Sequence, residues 1–380
     1  MSYSVEVVST PEGLLNLRKA WDHLARRAEH PNVFTSFEWA WVWWQQFGTK
    51  DLLGRNLRLH ILHLQQQGRT AALAPLLLRT ASWGGLCLEK LEFIGMGMAD
   101  YGSLLLEDSS GGEVEALLDY LWRERKSWDL VELGQLPADS SPAKRLAEAL
   151  PRSPLHYRLR ADEPCVYIPL TTDWAGFLKT RSKLTRETFH KKANRLKRLE
   201  AEGLRIRILE NPQGEPGLLA RMVALEKKKQ VRGAPVLRVL NAAEDFFRLL
   251  FDTLGPAGQL YLALMEQHDR LMAYELGFRY GGKLWAYTKA FDRDDAYYSP
   301  GTMLIPAVID YGFRKGYREY DFLRGDEPYK KRWSPHLRTT VGFEIWKPEL
   351  RSRLLAKIYF SFRLRLYQWL WDRGIWPFQL

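Results

Sequence analysis

Residues 271–333 have the sequence LMAYELGFRYGGKLWAYTKAFDRDDAYYSPGTMLIPAVIDYGFRKGYREYDFLRGDEPYKKRW. Two apolar, aromatic-rich runs, residues 272–280 and 283–290, are separated by Gly281-Gly282. Because glycine adopts a positive φ without steric cost, this pair predicts a two-residue turn between antiparallel strands. The stretch therefore begins with a β-hairpin.

The second half of the stretch predicts a helix followed by a strand. After Ser299-Pro300-Gly301-Thr302, apolar residues recur with helical spacing up to Phe313. Pro306 has no backbone N–H, so the helix is predicted to begin near Thr302. Residues 318–323 then predict a strand, which ends in a polar cluster. That cluster contains Asp321, Arg324, Asp326, Tyr329 and Lys330.

The order strand, glycine-containing loop, helix and strand is typical of a phosphate-binding site. Backbone N–H groups at a helix N-terminus carry partial positive charge, and a glycine such as Gly301 lets an anion approach the main chain closely. A pyrophosphate would fit there. Plain helix capping by the Ser-Pro-Gly-Thr turn explains the same residues.

Three segments carry a family resemblance: the loop SPG at 299–301, YDFLRGDEPYK at 320–330 and the basic-aromatic run KKRW at 330–333. Together they resemble the acyl-CoA-binding segment of the GNAT acyltransferase superfamily. More narrowly, they resemble the CelD/BcsL-type acetyltransferases, which are related to the FemABX aminoacyl ligases. The resemblance is strongest over residues 165–345.

The resemblance implies an α+β (α/β) fold of two tandem GNAT-like domains, each a mixed central sheet flanked by helices, plus a C-terminal amphipathic helix. The expected divisions are a degenerate GNAT-like domain at 1–150, an acyl-CoA-binding domain at 151–347 and a basic helix at 348–380. Acetyl-CoA or another acyl-CoA is the implied co-substrate. Its pyrophosphate would be held by Tyr298, Ser299, Pro300, Gly301, Thr302 and Met303.

In GNAT-type transfer the acceptor attacks the thioester carbonyl directly. The reaction therefore needs a main-chain hydrogen-bond donor to the carbonyl oxygen and, where one is used, a base that takes the acceptor proton. Tyr274, Glu275 and Asp321 are the catalytic candidates, because they are predicted to lie where strand ends open into the cleft. An Asp321–Arg324–Asp326 network is predicted to position the acceptor, although an ordinary ion-pair cluster explains the same residues.

The remaining substrate-binding candidates are Tyr329, Lys330, Asp100 and Tyr101. Lys330 would neutralise phosphate or orient the acyl group, unless it is simply a solvated lysine. By resemblance, Asp100 and Tyr101 contact the acceptor, and a tight turn is the alternative. The implied acceptor is a small molecule or a saccharide in cell-envelope or exopolysaccharide assembly.

Composition indicates a soluble globular protein with anionic partners: 380 residues, 46% hydrophobic, with a net charge of +11. Two cysteines without metal-type spacing favour a reducing cytoplasm, and no metal site is expected. The N-terminus does not resemble a signal peptide, and no apolar run reaches the roughly 18 residues of a membrane span. These features predict a cytoplasmic location.

Residues 179–198 contain nine Lys or Arg residues. This segment predicts either an anion-binding helix or a solvated surface. If the anion is RNA, the alternative function is an aminoacyl-tRNA-dependent ligase. Other nucleic acids are not expected.

The C-terminal segment, residues 351–380, combines a helical apolar face with five flanking basic residues. It predicts either a helix packed on the protein's own core or peripheral attachment to the inner face of an anionic membrane. A non-catalytic protein bound to a membrane or to a polysaccharide synthase is therefore a third functional hypothesis.

Overall fold

The structure is a computed structural model of the chain. It describes residues 3–48, 50–51, 54–83, 86–107, 111–229, 236–298 and 300–372.

The α-helices in these ranges are α1 (Pro11–Asn16), α2 (Arg18–Arg27), α3 (Phe37–Phe47), α4 (Gly112–Arg123), α5 (Ser141–Ala149), α6 (Trp174–Lys179), α7 (Lys183–Glu200), α8 (Leu218–Lys229), α9 (Val236–Leu254), α10 (Pro300–Arg314), α11 (Pro328–Lys331) and α12 (Leu350–Asp372). The strands are β1 (Ser4–Val8), β2 (Asn56–Leu59), β3 (Ile61–Gln66), β4 (Arg69–Ala74), β5 (Leu76–Trp83), β6 (Leu86–Phe93), β7 (Leu105–Leu106), β8 (Leu130–Pro137), β9 (His156–Ala161), β10 (Cys165–Pro169), β11 (Leu204–Leu209), β12 (Leu260–Gln267), β13 (Arg270–Tyr280), β14 (Lys283–Phe291), β15 (Glu319–Arg324), β16 (Leu337–Arg338) and β17 (Thr340–Trp346).

Backbone contacts divide the chain into two units. Unit 1 comprises Met1–Glu163 and Thr339–Leu380, and unit 2 comprises Pro164–Arg338. This division differs from the predicted boundaries because β17 pairs with both β8 and β9 in a sheet of unit 1. The order of segments along the chain does not reveal that these distant strands pair. The functional roles assigned to the domains stay predictions.

The described part of unit 1 contains a four-stranded sheet, in the order β1-β3-β4-β7, and a six-stranded sheet, in the order β2-β5-β6-β8-β17-β9. Strands β6 and β8 are parallel, registered at Lys90↔Leu130, Leu91↔Val131 and Glu92↔Glu132. The chain segment that connects β6 to β8 contains α4. Alternate residues of the six-stranded sheet, such as Leu91 and Val131, face a buried apolar core that includes α4 and α5.

The intervening residues of this sheet form a buried ionic network. Lys90 donates to Glu132 at 2.9 Å and pairs with Glu92 at 2.6 Å. Glu92 also pairs with Arg79, and Arg160 donates to Glu132 at 2.9 Å. Burial alone would raise the pKa of Glu92, but Arg79 and Lys90 outweigh it and hold that pKa below its ordinary value. These charges are stable inside the protein because each is paired.

Unit 2 contains a seven-stranded sheet in the order β11-β12-β13-β14-β15-β10-β16. The predicted hairpin is confirmed: β13 and β14 pair antiparallel, and Gly281 and Gly282 have φ of +60° and +71°. Strands β14 and β15 are parallel. Helix α10 connects them and buries Met303, Leu304 and Ile305 against the sheet. It begins two residues earlier than the predicted Thr302.

Among the described residues, each unit therefore has a parallel strand pair joined by a crossover helix within an otherwise antiparallel sheet. Parallel neighbours need such a crossover because a short turn cannot join them. The repeated arrangement agrees with the prediction of two similar halves.

The predicted C-terminal helix is present as α12. Leu355, Ala356 and Phe360 are buried in a cluster with Leu88 and Leu130 of unit 1. The described helices do not include one that is both long enough and apolar enough to cross a membrane.

Candidate active site

The parallel strands β14 and β15 separate near their middle. Their registered pairs are Lys283↔Glu319, Leu284↔Tyr320 and Trp285↔Asp321. Both strands continue, to Phe291 and Arg324, but the described residues beyond these three pairs are not registered with each other. An opening at the carboxyl ends of parallel strands is where ligands bind in many α/β proteins.

A β-bulge lies in β14 at this opening. The register between β13 and β14 passes from Leu276↔Thr288 to Phe278↔Trp285, so β14 has one extra residue opposite Gly277. A bulge leaves a backbone group outside the ladder. A Cβ at Gly277 would lie 2.4 Å from the carbonyl oxygen of Trp285, which explains the glycine here.

A groove of about 1180 Å³ in unit 2 adjoins the opening. Its walls come from α7 and the residues before it, the middle of β13, the end of β14, the first turns of α10, and α11 with the residues after it. The lining residues are Thr180, Arg181, Ser182, Leu184, Thr185, Thr188, Phe189, Lys192, Tyr274, Glu275, Lys289, Ala290, Phe291, Pro300, Met303, Leu304, Ile305, Pro328, Tyr329, Lys331, Arg332, Trp333 and Pro335.

Glu275 is a fully buried carboxylate in this lining. Its Oε1 accepts hydrogen bonds from the hydroxyls of Tyr261 (2.9 Å) and Tyr320 (2.8 Å). Its Oε2 accepts one from Lys289 Nζ (3.1 Å). Burial and the charge of Glu275 raise the pKa values of Tyr261 and Tyr320 well above the usual range, so both phenols remain protonated donors.

Lys289 places a positive charge inside the groove. Its side chain is 26% exposed. Its ammonium lies 5.6 Å from the ring centroid of Phe322 and 5.7 Å from that of Tyr329, within the range of cation–π attraction. Burial, followed by Glu327 and Glu275, raises the pKa of Tyr329.

Tyr274 also lines the groove, but its hydroxyl is hydrogen-bonded to a residue of α8. It donates to Glu226 Oε1 of α8 at 2.6 Å. Burial and Glu226 raise the pKa of Tyr274 well above its ordinary value. The phenol is therefore a poor source of a base at neutral pH.

The predicted pyrophosphate segment lies at the start of α10. Pro300 and Met303 line the groove, so the first turn of the helix adjoins it. Gly301 and Thr302 belong to the same turn, and Ser299 lies outside the described residues. The Tyr298 ring precedes the helix, with its centroid 5.9 Å from the Arg195 guanidinium carbon.

Two ion pairs hold the turn that leads into α10. Arg270 donates to both carboxylate oxygens of Asp295, at 2.8 and 2.6 Å. Lys228 Nζ donates to Asp292 at 2.6 Å, and this hydrogen bond is the main reason that the pKa of Asp292 is low. Both aspartates are buried. We call these four residues the turn clamp.

Positive side chains cluster in the groove lining near α7. Lys192 and Arg332 both line it, and neither has a carboxylate partner among the described residues. Burial, with the nearby charges of Arg332 and Arg195, lowers the pKa of Lys192. Two neighbouring cations such as Lys192 and Arg332 in one groove lining favour binding of an anion.

Asp321 is not among the groove-lining residues. It is fully buried, and its Oδ2 accepts a hydrogen bond from Arg338 at 2.7 Å, while Oδ1 accepts one from the Leu323 N–H at 2.7 Å. Arg338 also donates to Glu319 at 2.9 Å. The structure therefore does not bring Asp321 together with Glu275 in the groove lining.

The predicted polar cluster spans the end of β15, the turn after it and α11. The Lys330 ammonium is buried and donates to the carbonyl oxygens of Leu323 (3.3 Å) and Gly325 (3.2 Å), and to that of Arg324. Asp326 is exposed and accepts a hydrogen bond from Lys331 Nζ at 2.5 Å. Of the five residues predicted here, Tyr329 lines the groove.

The two predicted acceptor contacts in the first half, Asp100 and Tyr101, are buried in unit 1. The next residue, Gly102, donates its N–H to the carbonyl oxygen of Gln135 at 3.0 Å. These residues therefore pack beside β8, and their contact with an acceptor stays a prediction.

Residues 183–331 match the family model described as an acetyltransferase (GNAT) domain. The fold is GNAT/FemX-like. The crystal structure of FemX matches with a TM-score of 0.56 at 11% identity, covering 90% of this chain and 97% of FemX. A conserved protein of unknown function from Bacteroides thetaiotaomicron VPI-5482 matches with a TM-score of 0.54 at 11% identity, covering 90% of this chain and 100% of that one.

A third match is the C-terminal domain of a putative lysylphosphatidylglycerol synthetase from Agrobacterium fabrum, with a TM-score of 0.50 at 10% identity. It covers 90% of this chain and 95% of that one. No curated protein sequence matches the chain. The predicted fold class, two GNAT-like domains built from mixed sheets flanked by helices, is confirmed.

Three cations of the groove lining, Lys289, Lys192 and Arg332, were not among the predicted site residues. Lys289 could have been found from the hairpin register, because Glu275 and Lys289 are direct partners across β13 and β14. Lys192 is one of nine cations in its segment, and the sequence offered no way to rank them.

The described residues contain no group of three or more His, Cys, Asp or Glu side chains placed to hold a metal ion.

Proposed function

We propose that unit 2 is an acyl-CoA-dependent N- or O-acyltransferase. The GNAT-type fold supports acyltransferase activity. The observation that carries the proposal is that the first turn of α10, the opening between β14 and β15, and the cations Lys192 and Arg332 all adjoin one groove.

The donor's diphosphate would lie at the start of α10, where N–H groups of the first turn have no partner within the helix. Lys192 and Arg332 would supply charge for its phosphates. The thioester would then lie in the opening beside the bulge of β14. The turn clamp would act as a positioning device, since it fixes the chain that enters α10.

In the transfer, an acceptor nitrogen or oxygen forms a bond to the thioester carbon and the carbon–sulfur bond breaks. The acceptor proton passes to a base, and the sulfur leaves as a thiolate that takes up a proton. Glu275 is the carboxylate in the groove, and a backbone N–H freed by the bulge would stabilise the carbonyl oxygen. Lys289 would orient the carbonyl or the acceptor.

The acceptor follows from the family resemblance alone: a sugar amine or hydroxyl in envelope or exopolysaccharide assembly, of the kind associated with CelD/BcsL-type proteins. The proposed contacts Asp100, Tyr101, Arg324 and Asp326 belong to this part of the proposal.

The second candidate is a FemABX-like ligase that takes its acyl group from aminoacyl-tRNA. Helix α7 favours it, since exposed basic residues such as Lys183, Lys191 and Lys197 lie on the helix that also contributes to the groove wall. Phosphate contacts by lysine and arginine dominate the binding of nucleic acids.

Release of free thiol from a panel of acyl-CoAs, with amine and sugar acceptors, tests the first candidate. Transfer from charged tRNA that is lost on RNase treatment would select the second. Binding of neither donor would leave a non-catalytic protein and contradict both.

Replacing Arg270 with Ala should weaken acyl-CoA binding roughly tenfold, because the entry to α10 loses its bidentate pair and donor groups become misplaced. Isothermal titration calorimetry measures the change. Arg270→Lys should restore part of the affinity. Arg248→Ala is the matched control, because Arg248 is also about half exposed and pairs with acidic residues on α9. Unchanged acyl-CoA affinity in Arg270→Ala would show that the turn clamp does not position the donor site.

A further inference from the structure

Helix α12 has two different sides over its first three turns. One side is buried on unit 1: Tyr359 donates to Glu132 at 3.1 Å and accepts from Lys90 at 2.9 Å. The Arg158 guanidinium carbon lies 4.2 Å from the centroid of the Phe360 ring. Leu355 and Ala356 lie on this side as well. The helix is therefore anchored in a fixed rotation about its axis.

The opposite side is apolar and open to solvent. Leu350, Leu354 and Ile358 are 80%, 57% and 42% exposed. Their spacing of four residues, at about 100° per residue, places them in one stripe on the side away from Tyr359. We call these three residues the outer stripe. Three neighbouring aliphatic side chains that remain exposed while Leu355, Ala356 and Phe360 of the same helix are buried indicate a contact surface rather than scattered surface residues.

Basic residues border the outer stripe. Arg353 and Lys357 are exposed, lie one turn apart on one border, and have no carboxylate partner among the described residues. Arg351 lies on the other border and is held by Asp129 at 2.9 Å. Residues 350–361 contain no Asp or Glu. The exposed side is therefore apolar at its centre and positive at its edges.

We propose that the outer stripe of α12 lies on the surface of an anionic lipid bilayer, in the plane of the interface. Aliphatic side chains would enter the acyl boundary, while Arg353 and Lys357 would contact phosphate groups of the lipids. A protein partner would have to match this stripe with an equally apolar surface and add acidic groups. A bilayer of anionic lipids supplies both over its whole area. The inference does not depend on the proposed enzymatic activity.

Flotation of the full-length protein with vesicles tests the inference. Vesicles of equal parts phosphatidylcholine and phosphatidylglycerol should carry the protein, and vesicles of phosphatidylcholine alone should carry much less. The triple variant Leu350→Ser, Leu354→Ser, Ile358→Ser should bind at least about tenfold more weakly, because the apolar contribution is lost. The double variant Arg353→Glu, Lys357→Glu should lose the preference for anionic vesicles.

The matched control is Val7→Ser, Leu15→Ser, Leu159→Ser, which removes three exposed aliphatic side chains elsewhere on unit 1. It should float like the wild type. All these variants leave the buried side of α12 unchanged, so circular dichroism and the unfolding midpoint should stay the same. Flotation of the outer-stripe variant at the wild-type level would overturn the proposal. So would a wild-type protein that ignores vesicles and instead forms a dimer that the outer-stripe variant abolishes.

Discussion

The double variant Lys192→Glu, Arg332→Glu should bind acyl-CoA at least about a hundredfold more weakly than the wild type. Each substitution removes a charged contact to phosphate, worth about 1.5–3 kcal/mol, and adds a repelling carboxylate. The lowered pKa of Lys192 agrees with this expectation, because burial and then the neighbouring charges of Arg332 and Arg195 disfavour its charged form when no anion is bound. A bound phosphate would relieve that repulsion. Calorimetric titration measures the loss.

The control Lys191→Glu, Lys197→Glu changes the net charge by the same amount on exposed positions of α7 that do not line the groove. Its affinity should fall only slightly, and the effect should disappear at high salt. If both double variants lose affinity equally, the groove cations do not contact the donor and the effect is one of overall charge.

Replacing Lys90 with Met should destabilise unit 1 by about 3 kcal/mol. Lys90 is buried between Glu92 and Glu132, and its removal leaves two buried carboxylates with one cation fewer to share. Urea denaturation at neutral pH measures the loss. Lys126→Met, at an exposed position, is the control and should change stability by less than about 0.5 kcal/mol.

The same variant should unfold at a higher pH during acid titration. The pKa of Glu92 is held below its ordinary value of 4.5, so the stabilisation is complete above that value and is lost as the pH falls through the lowered pKa. Without Lys90 the pKa of Glu92 rises and the loss begins earlier. An unchanged acid midpoint would show that the network does not stabilise unit 1 in this way.

Local patterns in the sequence predicted the elements that build the groove. Gly281-Gly282 marked the hairpin, and the spacing after Gly301 marked the crossover helix. The placement of side chains was harder to predict, because it depends on partners far along the chain. Asp321 was predicted at a strand end beside the cleft, but it lies within β15, where Arg338 of the two-residue strand β16 pairs with it. The Lys330 ammonium is enclosed by the carbonyl oxygens of Leu323, Arg324 and Gly325 at the end of β15, where Leu323 has a φ of +62°.

The boundary between the two halves of the chain likewise could not be predicted from local sequence patterns. Residues 340–346 come just after unit 2 along the chain. Their strand, β17, nevertheless pairs with β8 and β9, which lie far earlier in the sequence. Composition likewise marked residues 179–198 as basic without showing that Lys192, rather than Lys191, lines the groove. Helical position alone does not reveal this, because cations are spread around most of α7.

The most direct test of the account is a thermal-shift titration of the full-length protein with acyl-CoA, beside the variant Gly301→Glu. A carboxylate in the first turn of α10 suits the helix dipole, so the variant should fold and unfold at the wild-type temperature without ligand. The wild-type midpoint should rise with acyl-CoA concentration, because a ligand that binds the folded state stabilises it. The variant should show no rise. A wild-type protein that fails to respond to any acyl-CoA, or a variant that responds equally, would contradict a donor site at the start of α10.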